Sequence, residues 1–377
     1  MVPPRIEVGF GIGTQPPLSR VRALAWLGRA MRADSLWAVD HFVGLFPRAV
    51  WDRDFTWVAG KGGTPDAFFD YQVLLGHLAR RVGRRARLAV GVTEPIRRHP
   101  VLIAQAALTL AHLTRHPPIL GIGAGERENV EPYGLDFSTP VAVLEEALQV
   151  IRLCFESQGP FDFEGRHFRL RDAVLDLAPP PGRTPEVWVA AHQDRMLELT
   201  GRYGDGWYPT FPMSPEVYAA KLATVRRAAE AAGRDPASIT PALQAFLVLG
   251  RTEEHARRMF ESRPLRYASL LMSDEVWQRQ GLTHPLGPGF RGMIDIVPQR
   301  MTREQVEDAL AAVPGEQLAG EAIWGTAGQV VEKLRALGEA GLRHVVLVPI
   351  SAMVSRRAAL RAIRGMATVA RRLRSGW

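Results

Sequence analysis

The stretch RIEVGFGIGTQPPLSRVRALAWLGRAMRADSLWAVDHF, residues 5–42, decides the fold class. Its two ends are short runs rich in β-branched and aromatic residues, a composition that favours strands. Between them, apolar residues recur every three or four positions from Val21 to Met31, which predicts an amphipathic helix. A strand, a helix and a second strand in this order predict two parallel strands with a helix packed across them.

The same alternation runs to the end of the chain. Six further apolar runs predict strands at residues 86–92, 118–125, 186–191, 206–210, 242–250 and 344–350. A helical pattern follows each of them. Eight such units predict an α/β fold in which the sheet closes into a (β/α)8 TIM barrel, and we expect a single domain over residues 1–377.

Two long segments interrupt this alternation. Residues 43–69 are rich in glycine, proline and aromatic residues, and residues 262–318 are repeatedly broken by proline and glycine. Both are longer than ordinary connections between a strand and a helix, so we predict two insertions, the second of them irregular. A shorter segment, FDFEGRHFRL at residues 161–170, predicts a β-hairpin that decorates the barrel.

The chain is basic, with a formal charge of +8 at pH 7 that is carried almost entirely by arginine. A basic balance can indicate an anionic partner. Nucleic-acid binding would require clusters of arginine and lysine interleaved with exposed aromatic residues, or a known binding module. Here the arginines are spread along amphipathic helices, so we expect no nucleic-acid partner.

Two features bear on where the protein works. The sequence has no apolar run near the length of about 18 residues that a membrane-spanning helix needs, and its first residues lack the pattern of a signal peptide. Its one cysteine, Cys154, excludes an intrachain disulfide and fits a reducing cytoplasm. We therefore expect a cytoplasmic protein without integral membrane contact, with Cys154 as a core residue.

The C-terminal pattern, residues 355–374, admits two interpretations. Arginines surround one apolar face, which is predicted to contain Leu360, Ile363, Met366 and Leu373. Such a helix can lie on an anionic membrane surface. We favour the alternative, in which it is the eighth helix of the barrel and packs on the sheet.

Polar residues and glycines collect where the predicted strands end. The four groups are Asp40 with His41, and residues 91–95, 121–126 and 190–194. The C-terminal ends of barrel strands share one face, on which such folds hold their active sites. An imidazole there can give or take a proton near neutral pH, so His41 is a candidate acid–base residue. The alternative is a structural histidine bonded to backbone.

The run GIGAGERENVEPYG, residues 121–134, spaces three glycines at alternate positions and adds Glu126. Glycines let a planar ligand or a phosphate approach the backbone, although a tight turn after a strand would use them equally well. The spacing differs from a dinucleotide-binding fingerprint. His112 and His116 are four residues apart on a predicted helix but lack a third ligand, so we expect no metal.

Four motifs at these strand ends carry a resemblance to a known family. They are VDHF at residues 39–42, GVTEPIRRHP at 91–100, GIGAGERENVEPYG at 121–134 and VAAHQDRMLELTGRYGDGWYP at 189–209. The chain resembles the bacterial-luciferase-like barrel superfamily over essentially its whole length, in the branch that uses the deazaflavin coenzyme F420. The resemblance implies a luciferase-like barrel and an F420-dependent oxidoreductase.

The resemblance also implies site residues. His41 would exchange a proton with the substrate oxygen, and Glu126 would lie near the pyrimidine edge of the deazaflavin. Coenzyme binding would involve Asp40, Gly91, Val92, Thr93, Asn129, Ala190, Ala191, His192 and Gln193. Of these, Gly91 and Val92 match a non-proline cis peptide of the family. His192 and Gln193 stand where the family usually has two glycines.

The implied reaction is hydride transfer between reduced F420 and a substrate carbonyl. We expect a ketoreductase that acts on an apolar small molecule and assembles as a homodimer. Residues 210–218 lack the lysine that sugar-phosphate enzymes of this branch use. The residues that suit an apolar substrate instead are Trp51, Phe55, Trp57, Trp207, Phe211 and Met213. Two alternatives stay open: an FMN-dependent monooxygenase of the same superfamily, and a non-catalytic barrel that binds a coenzyme or a lipid.

Overall fold

The computed structural model describes residues 5–375, and its strands form a closed barrel. In chain order the strands are β1 (Glu7–Gly11), β2 (Ser35–Ala38), β3 (Arg87–Thr93), β4 (Ile119–Ile122), β5 (Phe161–Glu164), β6 (Arg169–Ala173), β7 (Glu186–Val189), β8 (Gly206–Trp207), β9 (Thr240–Leu249), β10 (Ile323–Gly325) and β11 (His344–Val348). Eight of them are parallel neighbours in the order β1, β2, β3, β4, β7, β8, β9, β11, and β11 pairs back with β1. The predicted (β/α)8 barrel is confirmed, with all eight predicted strands in it.

Helices surround the barrel. In chain order they are α1 (Leu18–Ala30), α2 (Tyr71–Val82), α3 (Pro100–Leu113), α4 (Arg127–Val130), α5 (Pro140–Glu156), α6 (Asp194–Tyr203), α7 (Pro215–Ala231), α8 (Glu253–Met259), α9 (Arg263–Ser269), α10 (Asp274–Gln278), α11 (Arg303–Ala312), α12 (Ala327–Glu339) and α13 (Arg356–Arg374). At least one helix follows each barrel strand, as predicted. None within residues 5–375 combines the length and the apolar character that crossing a membrane requires.

The second insertion is more ordered than the sequence predicted. Residues 262–318 contain α9, α10 and α11 where we expected irregular structure. A reciprocal cap starts α11, because the Thr302 side chain accepts from the N–H of Gln305 and the Gln305 side chain accepts from the N–H of Thr302. The short strand β10, which the sequence analysis missed, then pairs with the C-terminal end of β9. The predicted hairpin is present as β5 and β6.

Helix α3 ends before it reaches the second histidine of the predicted pair. Its last residue is Leu113, and the Thr114 hydroxyl, 3.0 Å from Leu110 O and 2.9 Å from His116 O, lies between the last turn and the segment beyond it. His116 therefore lies outside α3. The predicted pair with His112 does not share one helix.

The C-terminal helix α13 packs on the barrel, which is the interpretation we favoured. It buries Ala362, Met366 and Val369, whereas Leu360, predicted on the same face, is 52% exposed. Small residues bring the helix close to the sheet: a Cβ at Gly365 would lie 2.9 Å from a methyl carbon of β9. The face of α13 that packs on the barrel is therefore the one with alanine and glycine, and Leu360 points away from it. Cys154 is buried in α5, as expected, and burial raises the pKa of its thiol to about 11.

The two insertions pack against each other. The ring of Phe46 lies 6.0 Å from that of Trp51 and 5.5 Å from that of Tyr267 in α9, measured between centroids. Trp57 Nε1 donates to Ala352 O at 2.8 Å. Because Ala352 comes just after β11, this bond holds the first insertion against the C-terminal face of the barrel, where the polar strand ends converge.

Bulky rings fill the barrel interior. Trp37 of β2 stacks on Tyr208, with ring centroids 4.5 Å apart, and lies 5.6 Å from Trp188 of β7. Trp188 leaves no space for a side chain at Gly206 in β8, since a Cβ there would come within 2.5 Å of the indole. A glycine on one strand therefore makes room for an indole on the next, as close packing requires.

This packing predicts opposite effects for the same substitution at two glycines. Gly206→Ala should lower the free energy of unfolding by about 1–3 kcal/mol, because the added methyl collides with Trp188. Gly76→Ala in α2, where a Cβ meets nothing within 4 Å, should raise it by up to about 1 kcal/mol. Urea unfolding of both variants measures the difference. Equal effects would contradict the account of the barrel interior.

Candidate active site

Side chains from the ends of β2 and β4 meet at the C-terminal face. His41 follows β2, and Glu126 and Asn129 lie at the start of α4 and within it. His41 Nδ1 is 2.9 Å from Asn129 Nδ2 and 3.6 Å from Glu126 Oε2. The side chains of His41 and Glu126 are 16% and 25% exposed, so both are held by protein yet accessible. The structure thus brings together three residues that the sequence predicted to share a site.

The Asn129 amide fixes the tautomer of His41. Asn129 Oδ1 accepts from the N–H of Phe42 at 2.7 Å and of Val43 at 3.2 Å. Its Nδ2 therefore donates the other way, to His41 Nδ1 and to Glu128 Oε1, at 2.9 Å each. A ring nitrogen that accepts carries no proton, so neutral His41 holds its proton on Nε2. That Nε2–H is the group left free for a ligand.

Asp40, predicted to contact the coenzyme, is buried, and both of its carboxylate oxygens are bonded within the protein. They accept from Thr93 Oγ1 at 2.7 Å and from Nε and Nη2 of Arg98 at 3.0 and 3.1 Å. Arg97 Nη2 donates to Asp40 O at 2.9 Å. Burial lowers the pKa of the Arg98 guanidinium, but the hydrogen bonds to Asp40 and its charge outweigh burial and raise it. Asp40 and Thr93 therefore join the end of β2 to that of β3.

One residue of this cluster was not predicted. Glu128 is fully buried, and its Oε2 has no hydrogen-bond partner among residues 5–375. Burial and the neighbouring Glu126 carboxylate raise the pKa of Glu128 well above its usual range. A proton on Oε2 would satisfy that atom by donating to Glu126, so the two carboxyl groups can share one proton. The signal in the sequence was the pair of acids separated by one residue in GERENV.

His41, Glu126 and Glu128 also bring one ligand atom each within 4.8 Å of the others. An imidazole and two carboxylates can hold a divalent cation, an arrangement that the sequence analysis did not consider. Asn129 already donates to His41 Nδ1 and to Glu128 Oε1. The bond from Asn129 uses the one lone pair of His41 Nδ1 that a metal on this nitrogen would need, which favours a shared proton over a cation.

The ends of β3, β4 and β7 contribute small and apolar residues. The Gly91–Val92 peptide in β3 is cis, as the resemblance implied. A Cβ at Gly91 would lie 2.7 Å from the indole of Trp37, so only glycine fits there. A Cβ at Gly123 would lie 3.2 Å from Val92 and 3.6 Å from Ala190. The ends of these three strands thus carry only glycine and small or β-branched side chains, beside which a planar ring can approach the backbone.

Beyond β7, backbone donors are available to an anion. His192 and Gln193 are exposed, and Gln193 starts α6 without a side-chain cap, which leaves the first N–H groups of the helix open. His192 Nε2 accepts from the N–H of Thr210 at 3.3 Å. Desolvation where the ring meets protein and the nearby Lys221 ammonium both lower the pKa of His192, which favours a neutral imidazole.

These residues fit a bound flavin or deazaflavin. The glycines and the small residue Ala190 at these strand ends let a flat ring approach the backbone, and the open N-terminus of α6 suits a phosphate. The unpartnered Oε2 of Glu128 lies in the adjoining cluster. F420 and FMN both carry a tricyclic ring and a phosphate, so this geometry admits either coenzyme.

Two of the apolar residues predicted for the substrate are packing residues instead. Trp207 and Phe55 are fully buried in hydrophobic cores, and Trp207 Nε1 donates to Ala191 O at 2.9 Å. Trp207 precedes an inward-facing residue of the barrel, so strand alternation turns it toward the helices. Phe211 remains half-buried and packs on Phe246, with ring centroids 5.0 Å apart.

A cavity of about 470 Å³ lies within the second insertion. Apolar side chains dominate its lining, among them Leu286, Phe290, Ile296 and Met301. The second insertion is bonded to α4 in two places. Arg127 Nη2 donates to Asp295 Oδ1, a residue of the cavity wall, at 3.2 Å, and Gln299 Nε2 donates to Glu128 O at 3.0 Å. The insertion and the helix that carries Glu128 are therefore one connected structure.

Comparisons with known proteins show the family to which the chain belongs. Residues 49–344 match the family model described as luciferase-like monooxygenase. The chain is 41% identical over 335 residues to the phthiodiolone/phenolphthiodiolone dimycocerosates ketoreductase of Mycobacterium tuberculosis, with 88% of each chain covered. It is 36% identical over 173 residues to the F420-dependent hydroxymycolic acid dehydrogenase of the same organism, over 44% of this chain and 46% of that one.

Among solved structures, an F420-dependent secondary alcohol dehydrogenase superposes with a TM-score of 0.73 at 18% sequence identity, over 97% of this chain and 99% of that chain. At this identity the likeness supports the fold alone. The family model covers most of the chain, and the ketoreductase is similar over most of both sequences. The resemblance seen in the sequence is confirmed: the chain belongs to the luciferase-like monooxygenase family and is an oxidoreductase of that family.

Proposed function

We propose that the protein is an F420-dependent ketoreductase, which transfers a hydride between reduced F420 and the carbonyl group of an apolar substrate. The observation that carries the proposal is the His41 Nε2–H group, fixed by Asn129 and backed by two carboxyl groups. The names of two relatives support the proposal, because one is a ketoreductase and the other an F420-dependent dehydrogenase.

Reduced F420, when bound, supplies a hydride to the carbonyl carbon. His41 Nε2–H donates a hydrogen bond to the carbonyl oxygen and gives up its proton as negative charge develops there. As that proton leaves, Nδ1 takes one from the carboxyl pair through Glu126, whose Oε2 is 3.6 Å away, and loses its hydrogen bond from Asn129, so the ring stays neutral. One hydride and one proton make the alcohol. After the alcohol leaves, Nδ1 returns its proton to the carboxyl pair of Glu126 and Glu128, and Nε2 takes a proton from water.

The other predicted residues hold the coenzyme or position His41. Gly91, Val92 and Ala190 form the surface for the ring, and the backbone from His192 to the start of α6 receives the phosphate. Asp40 acts through its arginine contacts by fixing the backbone next to His41. The expected homodimer stays a prediction.

The lining of the insertion cavity supports an apolar, uncharged substrate. Its walls are mainly apolar, and its charged lining residues, Asp295 and Asp308, are acids that offer a phosphate or carboxylate group no cation to bind. The hydrogen bond from Arg127 to Asp295 ties this cavity to the residues beside Glu126. An extended apolar substituent of the ketone can lie there while its carbonyl reaches His41.

The coenzyme assignment predicts tighter binding of F420 than of FMN by the purified protein. The affinity should fall as salt rises, because the tail of F420 is anionic and the chain is basic. Fluorescence titrations at low and high ionic strength test this. A hydrophobic ketone should then oxidise reduced F420 without oxygen. Oxygen consumption with reduced FMN would favour a monooxygenase, and coenzyme binding without turnover would favour a non-catalytic barrel.

Replacing the acid–base residue tests the site directly. His41→Ala should lower kcat by roughly 10²–10⁴-fold, the usual loss for a positioned general acid, while the affinity for F420 stays within a few fold. His77→Ala, which removes an exposed histidine of α2, is the matched control and should leave kcat unchanged. Melting temperature is measured on the same samples. Near-normal turnover in a destabilised His41→Ala protein would assign this residue a structural role.

Glu128→Gln should raise the free energy of unfolding and lower kcat. The raised pKa of Glu128 means that the folded state binds its proton more tightly than the unfolded state does, so stability falls as pH rises above the ordinary value of 4.5. Glutamine has no proton to lose, so it does not cause this fall in stability with pH. The variant should therefore unfold at a higher urea concentration than wild type at neutral pH. Its kcat should drop roughly 10²-fold, because it cannot reload His41.

Glu321→Gln is the control for this pair of effects. Burial also raises the pKa of Glu321, which lies outside the His41 cluster. Glu321→Gln should therefore change the dependence of stability on pH in the same way as Glu128→Gln, but its kcat should equal that of wild type. The measurements are urea unfolding and kcat, each followed from acidic to alkaline pH. Wild-type kcat across that range in Glu128→Gln would remove Glu128 from the proton path.

A further inference from the structure

We infer that a basic cavity between α8 and α13 binds the phosphate group of a monoester ligand, at a site separate from the coenzyme site. The cavity has a volume of about 290 Å³. Its lining combines four basic residues, Arg251, His255, Arg357 and Arg361, with Ser355 and an apolar wall.

The positive charge of this cavity is not neutralised by the protein. Within residues 5–375, no carboxylate oxygen lies within 4.0 Å of the guanidinium groups of Arg251, Arg357 or Arg361. The acids at the start of α8, Glu253 and Glu254, are bonded to α12 and to the next turn of α8. Three like charges thus line one cavity of a folded chain, and a bound anion would relieve their repulsion.

The His255 ring shows where an acceptor is missing. Both of its nitrogens face a donor, Nδ1 the N–H of Arg251 at 3.3 Å and Nε2 the Nη1 of Arg361 at 3.5 Å. A neutral imidazole has only one acceptor nitrogen, so one of these two donors is left without an acceptor. An anionic oxygen would accept from that donor, and the several oxygens of a phosphate suit the converging arginines.

The place of the cavity in the barrel agrees with this ligand. Arg251 follows β9 and Val354 follows β11, which are the seventh and eighth barrel strands, and barrel enzymes commonly hold phosphate at the loops after these two strands. Ser355 starts the 19-residue helix α13, whose positive end adds to the same field. Met259, Val354 and Ala358 supply the apolar wall. A phosphate that carries a small apolar group would fill both parts of the cavity.

Isothermal titration of the full chain with inorganic phosphate and with phenyl phosphate tests the site. Both should bind, phenyl phosphate more tightly, and added salt should weaken both. The double variant Arg251→Gln/Arg361→Gln should lose about tenfold or more in affinity, since charged hydrogen bonds are removed. The matched control is Arg84→Gln/Arg85→Gln, two exposed arginines that precede β3 at the other end of the barrel. It should bind phosphate like wild type.

F420 titration of the same variants separates this site from the coenzyme site. The Arg251→Gln/Arg361→Gln protein should bind F420 like wild type, which also shows that it is folded. Co-sedimentation with phosphatidate vesicles, lost in this variant, would identify a lipid headgroup as the ligand source, and binding of phenyl phosphate without vesicle binding would identify a free monoester. Phosphate binding that survives in this variant, that F420 displaces, or that is absent from wild type would overturn the proposal.

Discussion

The charge of one buried carboxylate governs the geometry of the candidate site. Asp40 is 5% exposed, and a carboxylate in that position must be paired to remain ionised. Arg97 and Arg98 provide the pairing, and Arg97 also binds the backbone carbonyl of Asp40. Removing both arginines would leave the buried charge of Asp40 without compensation, at a cost of about 3–5 kcal/mol. These contacts fix the direction of the backbone after β2. Because His41 is the next residue, they also fix the position of its side chain.

The same short segment is held a second time, from the opposite side of the cluster. Asn129 accepts from the backbone of Phe42 and Val43 and uses its remaining hydrogens on His41 and Glu128. One amide thus sets the position of the segment and the protonation pattern of the ring. The acid–base group is prepared before any ligand arrives, which is the form of organisation that favours charge development in a transition state.

The sequence was most informative about features that depend on local pattern. Short apolar runs followed by helical spacing specified the barrel, and the position of His41 at a strand end placed it on the functional face. Glu128 was missed because its burial depends on how α4 packs, which no local pattern reveals. The basic cavity was missed for a similar reason, since Arg251 and Arg361 are far apart in the chain and each resembled a solvated helix residue. Trp207 was misassigned because the pattern does not say which side of the sheet is the barrel interior.

The bonds from Arg127 to Asp295 and from Gln299 to the carbonyl of Glu128 join the second insertion to the short helix that carries the acids. In the proposed function, substrate preference and proton supply are thereby inherited as one module. A chimera that exchanges only the insertion with a relative would break both bonds and disturb the shared proton along with the pocket. The smallest exchange that keeps both bonds transfers the α4 segment together with the insertion. The evolution of new substrate ranges on this barrel faces the same requirement.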